Sequence, residues 1–354
     1  MRALTALAVT LAMALTATGC SKDGQGFDRP AGAAVVVVSG GDATSPFTTN
    51  DQACATGLAA GNTNTAIRDH LISKGYTVYT SPAMAGRGQV VDQTGFGAFG
   101  VCPVTLPENM TVNSTGSIDT AGEHLARFVT WLQAEKGVTE VDFVAHSMGG
   151  LYSRAAIRVL ASTSSTVKVR SLTTIGTPWQ GSYLSDYAND LIALSACGGD
   201  TFCESAMSDF KTRVRELMAG SGREVNTAFL MGSGGWNEFQ SGVLDQIPVV
   251  LIAGDRFTGA DPAADGQVDP AVWPNDGLVA TRSALAADIG DPVLPHRRCH
   301  TFDDTHSIFV SNLTGLDWAT ALTWDPKVLE VVDTAIRESP GALAAPNREG
   351  CPAA

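Results

Sequence analysis

Val35-Val36-Val37-Val38 is an unbroken apolar run stopped by Ser39-Gly40-Gly41, the pattern of a strand covered on both faces. Apolar spacing then predicts a helix over 64–74 ending at Gly75, and a strand at Tyr76-Thr77-Val78-Tyr79. A helix over 121–135 carries Leu125, Phe128, Val129 and Leu132 on one face. Thr120 and Glu123 stand at capping-box spacing at its start, and Gly137 is its stop. Strands are predicted at 141–144, 167–175 and 248–253, and a helix at 151–160. Asp325-Pro326 opens a last helix with Leu329, Val332 and Ile336 in line. Strands alternating with helices predict a doubly wound, mostly parallel α/β sheet over residues 33–340, without internal repeats. Between Tyr183 and Gly242 the alternation breaks down. That stretch holds Cys197, Cys203, an amphipathic run over 205–218 and the Gly-rich 232–235. As an insertion between two strands, it is expected to sit as a cap or lid over the strands' carboxyl ends, where open α/β sheets bind ligands.

The N-terminus has another pattern. Arg2 precedes an apolar Ala/Leu/Val/Met run, and small residues lead into Cys20, the order of an export signal. Ala17-Thr18-Gly19-Cys20 resembles the bacterial lipobox. Residues 1–19 therefore read as a lipoprotein signal peptide, Cys20 as the lipidated residue and 20–32 as a tether. The expected location is the cell envelope, anchored to a membrane, with plain secretion as the alternative. Setting Cys20 aside leaves Cys54, Cys102, Cys197, Cys203, Cys299 and Cys351. In an exported chain they suggest three disulfides out of fifteen possible connectivities. Cys197 and Cys203 are expected to close a local loop. Cys54–Cys102 and Cys299–Cys351 would then tie distant regions, the latter fixing the 341–354 tail.

Composition narrows the classes. With 354 residues and 44% hydrophobic residues, the chain is too apolar for intrinsic disorder and ample for one large core. Its 23 Lys and Arg against 36 Asp and Glu, a net charge of −13, argue against nucleic acid, since a phosphate-binding surface needs clustered cations. No protein partner is implied.

The strongest chemical signal is Val144-Ala145-His146-Ser147-Met148-Gly149-Gly150, between a predicted strand and a predicted helix. This is the pattern of a nucleophile elbow with Ala145 in place of the first glycine of G-x-S-x-G. The serine there occupies a strained turn, so the flanking side chains must be small. A serine nucleophile needs a base, and the base an orienting carboxylate, here in the chain order Ser, acid, His. His70 and His124 precede Ser147 and read as helix-surface residues; His146 reads as a packing residue beside the serine. Downstream, His306 stands in the polar turn Asp303-Asp304-Thr305-His306-Ser307, and His300 reads as part of a strand. Asp276, in Asn275-Asp276-Gly277-Leu278-Val279, and Asp255 are the candidate acids. An oxyanion formed in acyl transfer needs two backbone N–H donors. Met148 is one candidate; Gly41 or the neighbouring Asp42 is the other.

These segments resemble the bacterial secreted lipase and esterase branch of the α/β-hydrolase superfamily. Ala145–Gly150 is similar to the lipase elbow. Gly176-Thr177-Pro178-Trp179-Gln180-Gly181-Ser182 is similar to the G-[TA]-P-x-x-G-S after the next strand. Asn275–Val279 and Thr305-His306 are similar to the acid and base segments. The resemblance spans residues 35–310, with 183–242 matched only as a lid-like insertion. Ser39-Gly40 replaces the usual His-Gly. The resemblance implies Ser147, Asp276 and His306 as a triad, an acyl-ester or lipid substrate, and no cofactor. With His-Gly replaced, the oxyanion donor beside Met148 stays open between Gly41, the more plausible, and Asp42. Lipases with a structural calcium carry an Asp two residues after the base. Ile308 stands there, so calcium is not implied, and Asp261, Asp265 and Asp269 read as solvated turns rather than metal ligands. The expected function is an exported serine carboxyl-ester hydrolase. The alternatives are an acyltransferase or thioesterase on the same triad, or a non-catalytic, surface-anchored binding protein.

Overall fold

Strand β1 (Ala33–Val38) follows the valine run and is buried along its whole length. Its side chains alternate between two cores. Ala34, Val36 and Val38 enter one apolar cluster, and Val35 and Val37 the other. Both faces are therefore covered, and the sequence pattern is continuous rather than alternating. The computed structural model describes residues 29–163, 165–216, 218, 220–259, 268–343 and 348–352. The expected signal peptide and the tether up to residue 28, Cys20 among them, lie outside the described residues, as do Asp261 and Asp265. The rest of the expected tether is not free, because Arg29 bonds to buried Asp142 and the Gly32 carbonyl accepts from the Thr139 N–H.

After β1 come α1 (Gly61–Ser73), β2 (Val78–Thr80), β3 (Ala83–Met84), β4 (Val112–Asn113), α2 (Ile118–Lys136) and β5 (Glu140–His146). Next are α3 (Gly149–Ser162), β6 (Lys168–Ile175), α4 (Tyr183–Ala188), α5 (Thr201–Glu216), α6 (Ser221–Glu224) and α7 (Thr227–Met231). The chain ends with β7 (Val249–Gly254), α8 (Thr281–Ala284), β8 (Arg297–Phe302), α9 (Ile308–Thr314) and α10 (Pro326–Glu338). Six strands form one sheet in the order β2-β1-β5-β6-β7-β8, and every pair in it is parallel. Leu125, Phe128 and Leu132 of α2 and Leu151 and Ala155 of α3 fill one face. Ile67 and Leu71 of α1 and Val328, Val332 and Ile336 of α10 fill the other. The expected doubly wound α/β architecture is what the structure shows.

Local differences have physical reasons. Helix α2 starts before the expected capping box: Ser117 is its cap, accepting from the Thr120 N–H, because Ile118 already belongs to the buried face. Strand β2 starts at Val78, since Tyr76 turns its hydroxyl onto Asp333 of α10. His124 is buried, not on the surface, with Nδ1 2.7 Å from the Thr111 carbonyl. The 183–242 insertion is not one body. Its first part forms a separate apolar cluster of Tyr183, Leu184, Cys197, Cys203 and Met207 with Val272 and Trp273. Its second part returns to the main core through Val214, Met218, Leu230 and Trp236. The three expected cysteine pairs are joined: Cys54–Cys102, Cys197–Cys203 and Cys299–Cys351. For the two long loops, chain-entropy reasoning gives about 4 kcal/mol each.

At the amino ends of the strands Asp142 is fully buried in an ion cluster. Its Oδ2 accepts from Arg29 Nη2 at 2.6 Å, its Oδ1 from the Ser171 hydroxyl at 2.7 Å, and Arg170 Nε lies 3.7 Å away. Asp142→Ala would leave the half-buried Arg29 guanidinium without its anion and Arg170 with Glu140 alone. A loss of about 3–5 kcal/mol in urea unfolding is expected; a loss under about 1 kcal/mol would show that the cluster contributes little.

Candidate active site

Strand β5 ends at His146, and α3 begins at Gly149, so Ser147 and Met148 turn the chain within two residues. Ser147 has φ 55°, in the left-handed region that residues with a side chain rarely occupy. Two hydrogen bonds hold it there. The Ser147 N–H donates to the Ile175 carbonyl at 2.8 Å, and the Thr177 hydroxyl donates to the Ser147 carbonyl at 2.7 Å. The crowding expected from the sequence is present: a Cβ on Gly149 would lie 2.7 Å from the Ser39 carbonyl oxygen.

The acid and base segments meet at the same end of the sheet. Asp276 is fully buried and His306 is 2% exposed. His306 Nδ1–H donates to Asp276 Oδ2 at 2.7 Å, and the His306 N–H donates to the Asp276 carbonyl at 2.8 Å. Asp276 Oδ1 accepts from the N–H groups of Leu278 and Val279 at 3.0 and 2.8 Å. The carboxylate is thus oriented by backbone on one oxygen and offers the other to the imidazole. The pair lies against the elbow: a Cβ on Gly176, next to Ile175, would sit 2.9 Å from His306 Nδ1 and 3.1 Å from Asp276 Oδ2. Gly176 also has φ 60°, so this position requires glycine on two counts. Among the described residues Ser147 Oγ makes no hydrogen bond, to His306 or to any other group.

The rivals fall away from this centre. His300 is within β8, and Asp255 follows β7 with its N–H on the Phe302 carbonyl. Asp42 has its N–H engaged by the Ser114 carbonyl at 3.1 Å. Among the described residues, the N–H groups of Gly41 and Met148 donate to no protein acceptor. No described group of three His, Cys, Asp or Glu residues could hold a metal ion.

Residues 101–197, which include the elbow, match the family model "Putative serine esterase (DUF676)". A triacylglycerol lipase of Pseudarthrobacter phenanthrenivorans is 38% identical over 77 residues, 22% of this chain and 23% of that protein. One of Burkholderia plantarii is 38% identical over 77 residues, 22% of this chain and 20% of its own length. The matched stretch thus spans under a quarter of either lipase. Among solved structures, the propeptide form of Bacillus licheniformis lipase BlEst2 aligns over 92% of this chain and 53% of its own, at 16% identity and TM-score 0.47. Lipase 1 from Pelosinus fermentans aligns over 85% and 98%, at 15% and 0.45. Parallel strands with a left-handed serine between β5 and α3 decide the architecture. This is an α/β-hydrolase fold.

Within this fold two contacts and one buried carboxyl are not legible in the sequence. Tyr183 donates its hydroxyl to the Gly277 carbonyl at 2.8 Å and so fastens α4 to the loop that carries Asp276. Arg213 of α5 pairs with Asp42 beside the candidate oxyanion donor. Asp304 is buried two residues before His306, with Oδ2 unpartnered among the described residues. Burial, then the charge of and hydrogen bond with Asp325, then Asp303, push the Asp304 carboxyl up to about 7 from 3.8. A carboxyl raised on folding favours the folded state fully below its unfolded value, and the benefit is lost as pH rises through about 7. Asp304→Asn, which does not titrate, is therefore expected to gain stability relative to the parent between about pH 4 and about pH 7, with the difference level above. Urea unfolding across that range checks this, and a flat difference would contradict it.

Proposed function

We propose that this protein is a serine carboxyl-ester hydrolase of the lipase and esterase kind, acting on acyl esters. The observation that carries the reading is the Asp276–His306 couple, set at the same strand ends as a serine in a left-handed turn. Ser147 attacks the ester carbonyl while His306 takes its proton at Nε2. Asp276 holds the ring through Nδ1 and stabilises the imidazolium. The free N–H groups of Gly41 and Met148 face the negative charge that develops on the carbonyl oxygen. His306 then protonates the leaving alkoxide, and water releases the acyl group by the same route. The unbonded Ser147 hydroxyl fits this scheme, because nucleophile–base hydrogen bonds commonly tighten only once substrate is bound. The lipase likeness of the elbow stretch favours lipid-like esters as substrate.

Fluorophosphonate labelling of the whole protein is expected to mark Ser147 and to vanish in Ser147→Ala. Asp276→Asn is expected to lower kcat on p-nitrophenyl esters by about 10⁴-fold, as loss of the orienting acid does in such triads. A labelled Ser147→Ala protein, or an Asp276→Asn protein of undiminished kcat, would sink the assignment. Turnover across short and long acyl chains places the activity between esterase and lipase.

The reading extends to an exported, membrane-anchored protein, supported by the export pattern and by Ala17-Thr18-Gly19-Cys20. In a bacterial host, metabolic labelling with a fatty acid should mark the full chain and be lost in Cys20→Ser. Equal labelling of the two would contradict an anchor at Cys20.

A further inference from the structure

His146 precedes Ser147, and none of the steps above uses it. Its side chain is buried, with the residue 4% exposed, and Nε2 lies 2.9 Å from the His306 carbonyl oxygen. A carbonyl only accepts, so Nε2 carries the proton and Nδ1 does not. That Nδ1 is buried without a partner among the described residues. The two imidazoles stand 4.5 Å apart between centroids, tilted by 51°. Burial first, then the charge of His306, hold the His146 pKa well below the ordinary histidine value.

An apolar side chain would pack this site without stranding a ring nitrogen. The polar ring is therefore explained by the bond it makes rather than by the space it fills. Asp276 holds His306 twice, by the ring and by the backbone N–H, and both ties pull toward the acid loop. Among the described residues, the His146 bond is the one hydrogen bond between the elbow, 145–150, and the base segment, 303–310. We propose that His146 is a positioning residue, whose Nε2–H on the His306 carbonyl fixes the base relative to the neighbouring Ser147. The proposal rests on the ester-hydrolase reading and names a residue that sets its geometry. With this tie, elbow, acid and base form a closed triangle. Without it, the base moves with the acid loop, and its distance from the nucleophile is no longer set by the elbow.

The test compares the full-length parent with His146→Leu, which removes the donor, and His146→Gln, whose amide carries an N–H near the position of Nε2. H146L is expected to lose about 10- to 100-fold in kcat and in the rate of fluorophosphonate labelling, with KM within about twofold, because displacing a reacting group by a fraction of an ångström acts on kcat. H146Q is expected to recover to within about threefold of the parent. The proposal is overturned by an H146L protein with parental kcat, by a change in KM alone, or by H146Q falling as far as H146L. Should H146L not fold, His146→Asn replaces it: its shorter amide does not reach the carbonyl, and equal kcat in H146N and H146Q overturns the proposal. A parent protein that takes no label at Ser147 removes the hydrolase reading and this inference together. A labelled parent with an unaffected H146L removes the positioning role alone.

Discussion

A single non-glycine residue held at positive φ governs this structure. Ser147 sits at 55° in the turn between β5 and α3, a conformation that costs about 1–3 kcal/mol and persists only where its surroundings enforce it. The enforcement comes from the sheet. Parallel pairing of β5 with β6 sets His146 opposite Ile175, and the next N–H, that of Ser147, falls on the Ile175 carbonyl. Thr177, just past β6, closes the other side of the turn. A one-residue slip of β6 would remove both bonds and turn its buried residues to the wrong face. The exposed hydroxyl is therefore a consequence of strand register, and register is a consequence of the two apolar cores.

The same sheet brings the other two loops. Strands β7 and β8 follow β6 in spatial order, so the chain leaving each of them at the carboxyl end returns toward the elbow. What arrives is already organised. One oxygen of Asp276 is held by two backbone N–H groups, and its other oxygen and its carbonyl hold His306. In a buried setting, such pre-formed bonds leave the surroundings little to reorganise. Gly176 is where the two halves touch, and a side chain there would occupy the space of the imidazole.

Much of this was legible in the residues. The valine run, the elbow and the chain order Ser, Asp, His each follow from local pattern, and the structure places those segments together. The rest depended on contacts that no local pattern carries. Strand β8, Arg297-Arg298-Cys299-His300-Thr301-Phe302, was legible only as a strand around His300, its bounds hidden by polar residues, because it lies at the edge of the sheet beside β7. His124 lies on a helix whose apolar spacing does not include it, and only the Thr111 carbonyl, brought in from the β3–β4 connection, explains its burial. His146 reads as packing because its acceptor lies 160 residues away. The insertion reads as one cap because its division into two bodies is decided by partners outside it.

That division has energetic content. The second body is rooted by Arg154 of α3, fully buried, with its guanidinium 4.2 Å from the Trp179 ring centroid and 4.8 Å from that of Trp236. Its Nη1 donates to Asn237 at 2.7 Å, and Asn237 donates to the Trp179 carbonyl at 2.9 Å. Burial and the neighbouring Arg158 lower the Arg154 pKa to about 9, which still leaves it cationic at neutral pH. Desolvated contacts of this kind reach about 2 kcal/mol each. The first body is fastened by Tyr183 to the Gly277 carbonyl and by Asp186, which accepts from Thr227 of the second, while Arg213 of α5 pairs with Asp42 with its side chain 52% exposed. Exposed ion pairs contribute about 0–1 kcal/mol and weaken with salt. Its own disulfide, Cys197–Cys203, constrains α5 only within the insertion, since both cysteines belong to it. Val214 of α5 and Met218 just after it are buried in the main core, so the Arg213–Asp42 pair adds a small contribution to a segment that the core already holds.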